Sequence, residues 1–86
     1  MNLRKQHEIV LYAVQGSRMC ELAKNYLTSG GFDFEEKYID KDHSAFEEMK
    51  KVSDQIHTPV MVIDDRVILG YQPVIYDLSL GVESGM

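Results

Sequence analysis

The chain has 86 residues, which is the size of one small domain. Its 14 Asp and Glu against 9 Lys and Arg give a net charge of −5, and this sign argues against a nucleic-acid partner, since phosphates are bound by clustered basic side chains. The single cysteine excludes an internal disulfide and any zinc site made of cysteines alone. Because no segment approaches the ~18 apolar residues that span a bilayer, we expect a soluble cytoplasmic protein without membrane contact.

The chain contains no repeats, linkers or low-complexity stretches. Residues 1–80 are therefore expected to form one domain, and residues 81–86 a flexible C-terminal tail. His7, His43 and His57 are scattered and lack a recognised metal-ligand spacing, so no metal site is predicted. We expect the domain to be a monomer.

The first strand and the first helix are clearly delimited in the sequence. Residues 9–14 (IVLYAV) form an apolar run rich in β-branched side chains, which is typical of a central strand covered on both faces. Residues 18–29 repeat apolar side chains at helical spacing and predict an amphipathic helix. Ser17 is a suitable N-cap for this helix, and glycines 30–31 end it. Its buried stripe is predicted to consist of Met19, Leu22, Ala23, Tyr26 and Leu27.

A second strand and a second helix follow. Residues 32–39 mostly alternate between apolar and polar side chains, which predicts a strand. Ser44 and Glu47 have the spacing of a capping box that opens a helix. The predicted buried side of this helix carries Phe46, Met49 and Val52.

A hairpin and a last helix complete the chain. Residues 60–63 and 66–69 are two apolar strands separated by a two-residue Asp-Asp turn, which predicts an antiparallel pair. Pro73 is suited to the first position of a helix. The side chains predicted to face inward from this helix are Val74, Ile75 and Leu78.

The predicted order is β-α-β-α-β-β-α. A crossover helix should join the first two strands in parallel, and the closing hairpin adds two more strands. The expected fold is therefore α/β and thioredoxin-like, with a four-stranded mixed sheet flanked by three helices.

Residues 17–24 (SRMCELAK), between the first strand and the first helix, resemble the active-site segment of glutaredoxins. In that family a Cys-x-x-Cys pair at this turn is followed two residues later by Ala-Lys. This alignment places Cys20 at the second cysteine and Ser17 at the first. Residues 58–60 are similar to the family's Thr-Val-Pro segment, and residues 69–70 lie where the family usually has Gly-Gly.

The resemblance implies a thiol–disulfide oxidoreductase that reduces protein or small-molecule disulfides. The nucleophile would be at position 17, where the helix N-terminus stabilises a thiolate, and Cys20 would be the resolving thiol. Ser17 departs from this pattern, because a hydroxyl without a neighbouring base stays protonated at neutral pH. The chain as written is therefore not expected to cycle between dithiol and disulfide.

Three interpretations of Ser17 remain open at this point. The serine is an engineered replacement of a nucleophilic cysteine or selenocysteine, or it is natural in a domain that works through Cys20 alone. In the third interpretation it only caps the helix of a redox-inactive relative, in which Cys20 is a buried small residue. The corresponding functional alternative is a non-catalytic binding module that retains the substrate groove.

The resemblance also implies the substrate groove. The Thr58–Pro59 peptide bond would be cis and would face the cysteine positions, and the backbone before it would pair with an extended peptide or with glutathione. Arg18 is either a residue that steers an anionic partner or an ordinary surface cation. The substrate-binding residues implied by the resemblance are Arg18, Met19, Thr58, Pro59, Gly70 and Tyr71.

No bound cofactor is implied, but the electron donor has two candidates. Glutaredoxins that use glutathione usually carry an acidic pair after their glycines, and here those positions are Gln72 and Pro73. Val14 also replaces a lysine common in the family. Residues 70–73 (GYQP) are similar to the Gly-Phe-Arg-Pro of NrdH-type redoxins, which serve ribonucleotide reductase and take electrons from thioredoxin reductase. The donor is therefore expected to be glutathione or thioredoxin reductase, with the second favoured.

Overall fold

The structure is a computed structural model that describes residues 7–82. The predicted order of elements is confirmed, while the prediction for tail residues 83–86 lies outside the described residues. The elements are β1 (Ile9–Ala13), α1 (Arg18–Ser29), β2 (Glu35–Tyr38), α2 (His43–Ser53), β3 (Val60–Ile63), β4 (Arg66–Leu69) and α3 (Pro73–Leu80).

The four strands form one mixed sheet in the order β2-β1-β3-β4. β1 pairs parallel with β2 and antiparallel with β3, and β3 pairs antiparallel with β4. The thioredoxin-like α/β fold predicted from the sequence is therefore confirmed. Tyr12 is paired with Val60, and Val60 is paired with Leu69. Consequently the carboxyl ends of β1 and β4 and the amino end of β3 lie at the same end of the sheet.

α1 has the predicted bounds, and Ser17 is its N-cap as expected. The prediction that Met19 is buried is wrong, because its side chain is 49% exposed. The face against the sheet carries Cys20, Ala23 and Leu27, which follow each other at intervals of three and four residues.

The predictions for β2 and α2 need correction at their ends. β2 begins at Glu35 instead of residue 32. α2 is capped by Asp42, not by Ser44, because the Asp42 carboxylate accepts hydrogen bonds from the backbone N–H groups of residues 44 and 45. Val52 is exposed, contrary to the prediction, whereas Met49 is fully buried and Phe46 is partly buried. Asp42 lies two residues before the predicted cap, so the helix begins at His43, and the carboxylate satisfies free N–H groups of this earlier first turn as a serine cap does elsewhere.

Pro73 opens α3 as predicted, but the predicted inward face of this helix is wrong. Val74 and Leu78 are 67% and 69% exposed, and Ile75 is also exposed. The buried residues are Tyr76 and Leu80. The helix is turned this way because the Tyr76 ring fills the apolar core and its hydroxyl finds a carbonyl acceptor at 2.8 Å.

Side chains on the two faces of the sheet form two separate cores. The larger core lies on the face covered by α1 and α3, and the smaller one lies under α2. The larger core contains Ile9, Leu11, Ala13, Cys20, Ala23, Leu27, Met61, Ile63, Ile68, Tyr76 and Leu80. The smaller core contains Tyr12, Met49 and Val60.

None of the helices within residues 7–82 has both the length and the apolar character needed to cross a bilayer.

Candidate functional site

Three chain segments emerge at the end of the sheet described above: the turn before α1, the Thr58–Pro59 pair and the residues after β4. The Thr58–Pro59 peptide bond is cis, which confirms the expectation from the sequence. The Pro59 carbonyl accepts a hydrogen bond from the Gly70 N–H at 2.8 Å. The second and third segments are thus joined directly, and both lie at the end of the sheet where β1 leads to Ser17.

The side chain at position 17 lies at the amino end of α1. The Ser17 Oγ accepts a hydrogen bond from the Cys20 N–H at 3.3 Å, and the Ser17 carbonyl accepts one from the Glu21 N–H at 3.0 Å. An acceptor atom at the γ position of residue 17 therefore accepts a hydrogen bond from a backbone N–H of the first helical turn. It also lies at the positive end of the helix dipole. The same two features stabilise a thiolate when the γ atom is sulfur.

Cys20 lies one turn deeper in the molecule. Its side chain is only 3% exposed and belongs to the core between α1 and the sheet. Ser17 is partly exposed, whereas Arg18 and Met19 are exposed and form the outer surface between the two positions. The arrangement therefore has an accessible outer position at residue 17 and a sheltered inner thiol at residue 20.

The Thr58–Pro59 pair and the residues after β4 differ in how they are held. Pro59 is buried, while Thr58, Gly70 and Tyr71 are partly exposed. Gly70 has φ +82, and a Cβ built there would meet no atom within 4 Å. Glycine is favoured at this position because of its left-handed backbone and not because of crowding.

Tyr76 is the residue of this region that the sequence analysis missed. It is fully buried, and its hydroxyl donates to the Gly70 carbonyl at 2.8 Å. Burial raises the pKa of Tyr76 to about 12, so the hydroxyl stays protonated and can donate. In the sequence, the spacing of Pro73, Tyr76 and Leu80 at i, i+3 and i+7 indicates one face of a helix and could have identified Tyr76 as buried. The stripe on the opposite side of the same helix is more apolar, and it was therefore predicted to be the buried one.

Gln72 occupies one of the two positions where glutathione-using members of the resembled family carry acidic residues. Its side-chain amide donates to the Leu69 carbonyl at 2.6 Å, so the amide is engaged within its own loop. Within residues 7–82, no three His, Cys, Asp or Glu side chains are grouped to hold a metal ion.

The family of this chain follows from its match to a family model. The glutaredoxin family model matches residues 9–68, a segment that contains Ser17, Cys20 and the cis proline. The chain belongs to the glutaredoxin family. It is therefore a member of a redox protein family with the thioredoxin fold, as its sequence resemblance implied.

Two relatives are similar in sequence to this glutaredoxin-family chain. It is 35% identical over 66 residues to the Gene 56 protein of Mycobacterium phage L5, covering 76% of this chain but only 64% of the phage protein. It is 33% identical over 63 residues to an uncharacterised glutaredoxin-like 8.6 kDa protein in the rubredoxin operon of Clostridium pasteurianum, covering 73% and 84% of the two chains.

A solved structure gives the same result for the fold. The crystal structure of the glutaredoxin from Archaeoglobus fulgidus superposes with a TM-score of 0.79 at 25% identity. The superposition covers 93% of this chain and 95% of that one. The likeness therefore extends beyond residue 68 and includes the Gly70 segment and α3.

Proposed function

We propose that this fold is a thiol–disulfide oxidoreductase whose nucleophile position is residue 17 and whose resolving thiol is Cys20. It would reduce disulfides of proteins or small molecules in the cytoplasm. The observation that carries the proposal is the hydrogen bond from the Cys20 N–H to the γ oxygen of Ser17 at the amino end of α1. This is the environment in which a sulfur atom at the same position would ionise and attack.

The reaction has two exchange steps. A thiolate at position 17 attacks one sulfur of the substrate disulfide, forms a mixed disulfide and releases the other substrate sulfur as a thiolate. The Cys20 thiol, after losing its proton, then attacks the sulfur at position 17, and the second substrate sulfur leaves. The substrate has gained two electrons, and the disulfide between positions 17 and 20 is later reduced by the electron donor.

Ser17 blocks the first of these steps in the chain as written. Its hydroxyl is not ionised at neutral pH and forms no disulfide. Cys20 is 3% exposed, which argues against the interpretation that this thiol alone attacks large substrates. We therefore expect no turnover without a cysteine or selenocysteine at position 17.

The groove would bind the substrate through its backbone and its rim. An extended peptide or glutathione would pair with the backbone before Pro59, as an added strand. The partly exposed Thr58 and Gly70 leave room for this approach, and Tyr71 lies next to them. Arg18 and Met19 would contact the part of the substrate that lies over the start of α1, with Arg18 attracting anionic groups.

We favour thioredoxin reductase over glutathione as the electron donor. Gln72 and Pro73 supply no carboxylate for the ammonium group of glutathione, and Val14 supplies no cation for its carboxylate. Each missing charge-assisted hydrogen bond removes about 1.5–3 kcal/mol. Ribonucleotide reductase is a candidate protein substrate on the basis of the NrdH-like sequence at residues 70–73.

The second candidate function is a non-catalytic binding module that keeps the same groove. Ser17 itself favours this alternative, because its hydroxyl is a complete helix cap and needs no redox role. The cis proline and the Gly70 loop would then serve only to hold an extended partner segment.

Disulfide-reductase turnover of the Ser17→Cys protein tests the first proposal. The chain as written and a Ser17→Cys/Cys20→Ser double variant are the controls. Each protein is assayed with glutathione and its reductase, and separately with thioredoxin reductase. We expect turnover with a protein disulfide only in the Ser17→Cys variant, and faster turnover with thioredoxin reductase.

Absence of turnover in the folded Ser17→Cys variant with both donors would contradict the enzyme proposal and leave the binding module. Faster turnover with glutathione would contradict only the choice of donor. Turnover by the chain as written would show that Cys20 acts alone.

A further inference from the structure

A cavity of about 500 Å³ lies away from the start of α1. It is bounded by α1 from Leu22 onward, the loop that follows α1, the loop before α3, and the second half of α3 with the residue pair after it. Its walls include Leu22, Tyr26, Phe32, Tyr71 and Val82, and Asp77 is its charged residue. This volume is within the range of small-molecule sites, which are mostly apolar with a few polar groups.

Aromatic rings form much of the wall. The rings of Tyr26 and Phe32 are nearly parallel, with an interplanar angle of 6° and centroids 6.5 Å apart. A Cβ at Gly30 would be 2.7 Å from the Phe32 ring, so the bare glycine allows that ring to lie against the backbone. Tyr71 adds a third ring.

Asp77 places a negative charge in this aromatic setting. Its carboxylate accepts a hydrogen bond from the Tyr26 hydroxyl. Burial and this carboxylate raise the pKa of Tyr26, so the phenol remains the donor. No Lys, Arg or His within residues 7–82 forms an ion pair with Asp77. The charge is therefore not neutralised by a cation of the described part of the chain.

We propose that this cavity binds a small organic cation, in which an ammonium or guanidinium group is attached to an apolar body about the size of one ring. The cation would lie beside the Asp77 carboxylate and against the faces of the aromatic rings, which attract positive charge. The apolar body would contact Leu22 and Val82. This binding does not depend on the residue at position 17, so it stands or falls separately from the redox proposal.

Titrations of the ¹⁵N-labelled full chain followed by NMR test the proposal. The probes are phenethylammonium chloride, the neutral 2-phenylethanol of similar size, and the anionic 3-phenylpropionate. We expect the cation to shift the backbone amides of Asn25, Ser29 and Gly30, and to bind about tenfold more tightly than the alcohol. The anion should bind more weakly than the alcohol.

Three variants test the cause of this preference and the location of the binding. Asp77→Asn keeps an oxygen acceptor for Tyr26 and should bring the affinities for the cation and the alcohol together. Asp65→Asn, in the exposed turn between β3 and β4, removes the same charge elsewhere and should leave the tenfold preference intact. Gly30→Ala should displace the Phe32 ring and weaken both probes.

Equal affinities for cation and alcohol in the unsubstituted chain would overturn the proposal. So would a cation preference that survives Asp77→Asn, shifts confined to other surfaces, or no shifts at millimolar concentration. The amide spectrum of each variant without probe shows whether it is folded.

Discussion

The two faces of the sheet are packed by different means. Under α1 and α3, the apolar core is large, and the hydroxyl of Tyr76, a residue of this core, donates a hydrogen bond to the Gly70 carbonyl. Under α2, the apolar core is small, and the Tyr12 hydroxyl donates to the Glu48 carboxylate at 2.8 Å. Lys37 binds both oxygens of the same carboxylate at 2.8 and 2.9 Å. One buried tyrosine therefore supports the candidate site, while the other supports only the attachment of a helix.

The largest expected effect comes from the core under α2. Met49→Ala should lower the free energy of unfolding by about 2–5 kcal/mol, because Met49 is fully buried in a small core. Urea unfolding measures this loss, and Val52→Ala on the exposed side of the same helix should cost less than about 0.5 kcal/mol. If the two faces are independent, the NMR amide signals of Gly70 and Tyr71 stay in place. A shift of those signals in Met49→Ala would contradict the separation.

On the face of the sheet that carries the candidate site, Gly70 can be substituted without changing the packing of the side chains around it. Gly70→Ala should cost about 1–2 kcal/mol, because φ is +82 and no atom lies within 4 Å of the added methyl. Gly70→Asn should cost less in the same urea titration, since asparagine tolerates the left-handed region better. Equal losses in the two variants would show that the conformational explanation is wrong.

The two tyrosines provide a matched test of the comparison. Tyr76→Phe and Tyr12→Phe each remove one hydroxyl, and each should cost about 1 kcal/mol in unfolding measurements. Only Tyr76→Phe should shift the amide signals of Gly70 and Tyr71. If Tyr12→Phe moved the same signals, the hydroxyl under α2 would be coupled to the site after all.

The smallest expected effect is a pH dependence. Hydrogen bonds from Lys37 and then Tyr12 hold the pKa of Glu48 below its ordinary value of 4.5. A lowered folded pKa contributes stability above the unfolded pKa, and this contribution is lost as the pH falls through the folded value. Since the Glu48 side chain is 42% exposed, we expect less than about 1 kcal/mol.

Urea unfolding at neutral pH and at about pH 3, which lie above and below the unperturbed pKa of a glutamate, measures this contribution to the free energy of unfolding. The unsubstituted chain should lose more stability on acidification than Glu48→Gln does. Glu21→Gln, on the exposed face of α1, is the charge-matched control and should behave like the unsubstituted chain. Identical acid losses in all three proteins would contradict the role of Glu48.

The order of elements was predictable because it depends on local signals. The apolar runs, the Ser17 cap and the Asp64–Asp65 turn each act within a few residues. The cis peptide bond before Pro59 followed from the family resemblance.

The helix faces were harder to predict, because hydrophobicity alone does not determine which stripe is buried. In α3, the stripe with Val74 and Leu78 is more apolar than the buried stripe with Tyr76 and Leu80. Tyr76 is buried because its ring fits the core and its hydroxyl reaches Gly70, and both conditions are tertiary. Met19 was misassigned for a similar reason, since the small Cys20 occupies the side of α1 that touches the sheet.

Because Cys20 is buried, the rate at which its thiol reacts with a reagent reports how often the structure opens locally. A reagent such as iodoacetamide reaches a 3% exposed sulfur only when α1 separates from the sheet. Since the chain has one cysteine, every labelling event reads the same opening. The ratio of the labelling rate in the folded chain to the rate in the urea-unfolded chain gives the fraction of time that the first helix is lifted. Met49→Ala and Tyr76→Phe could then be ranked by how often each lets this helix open.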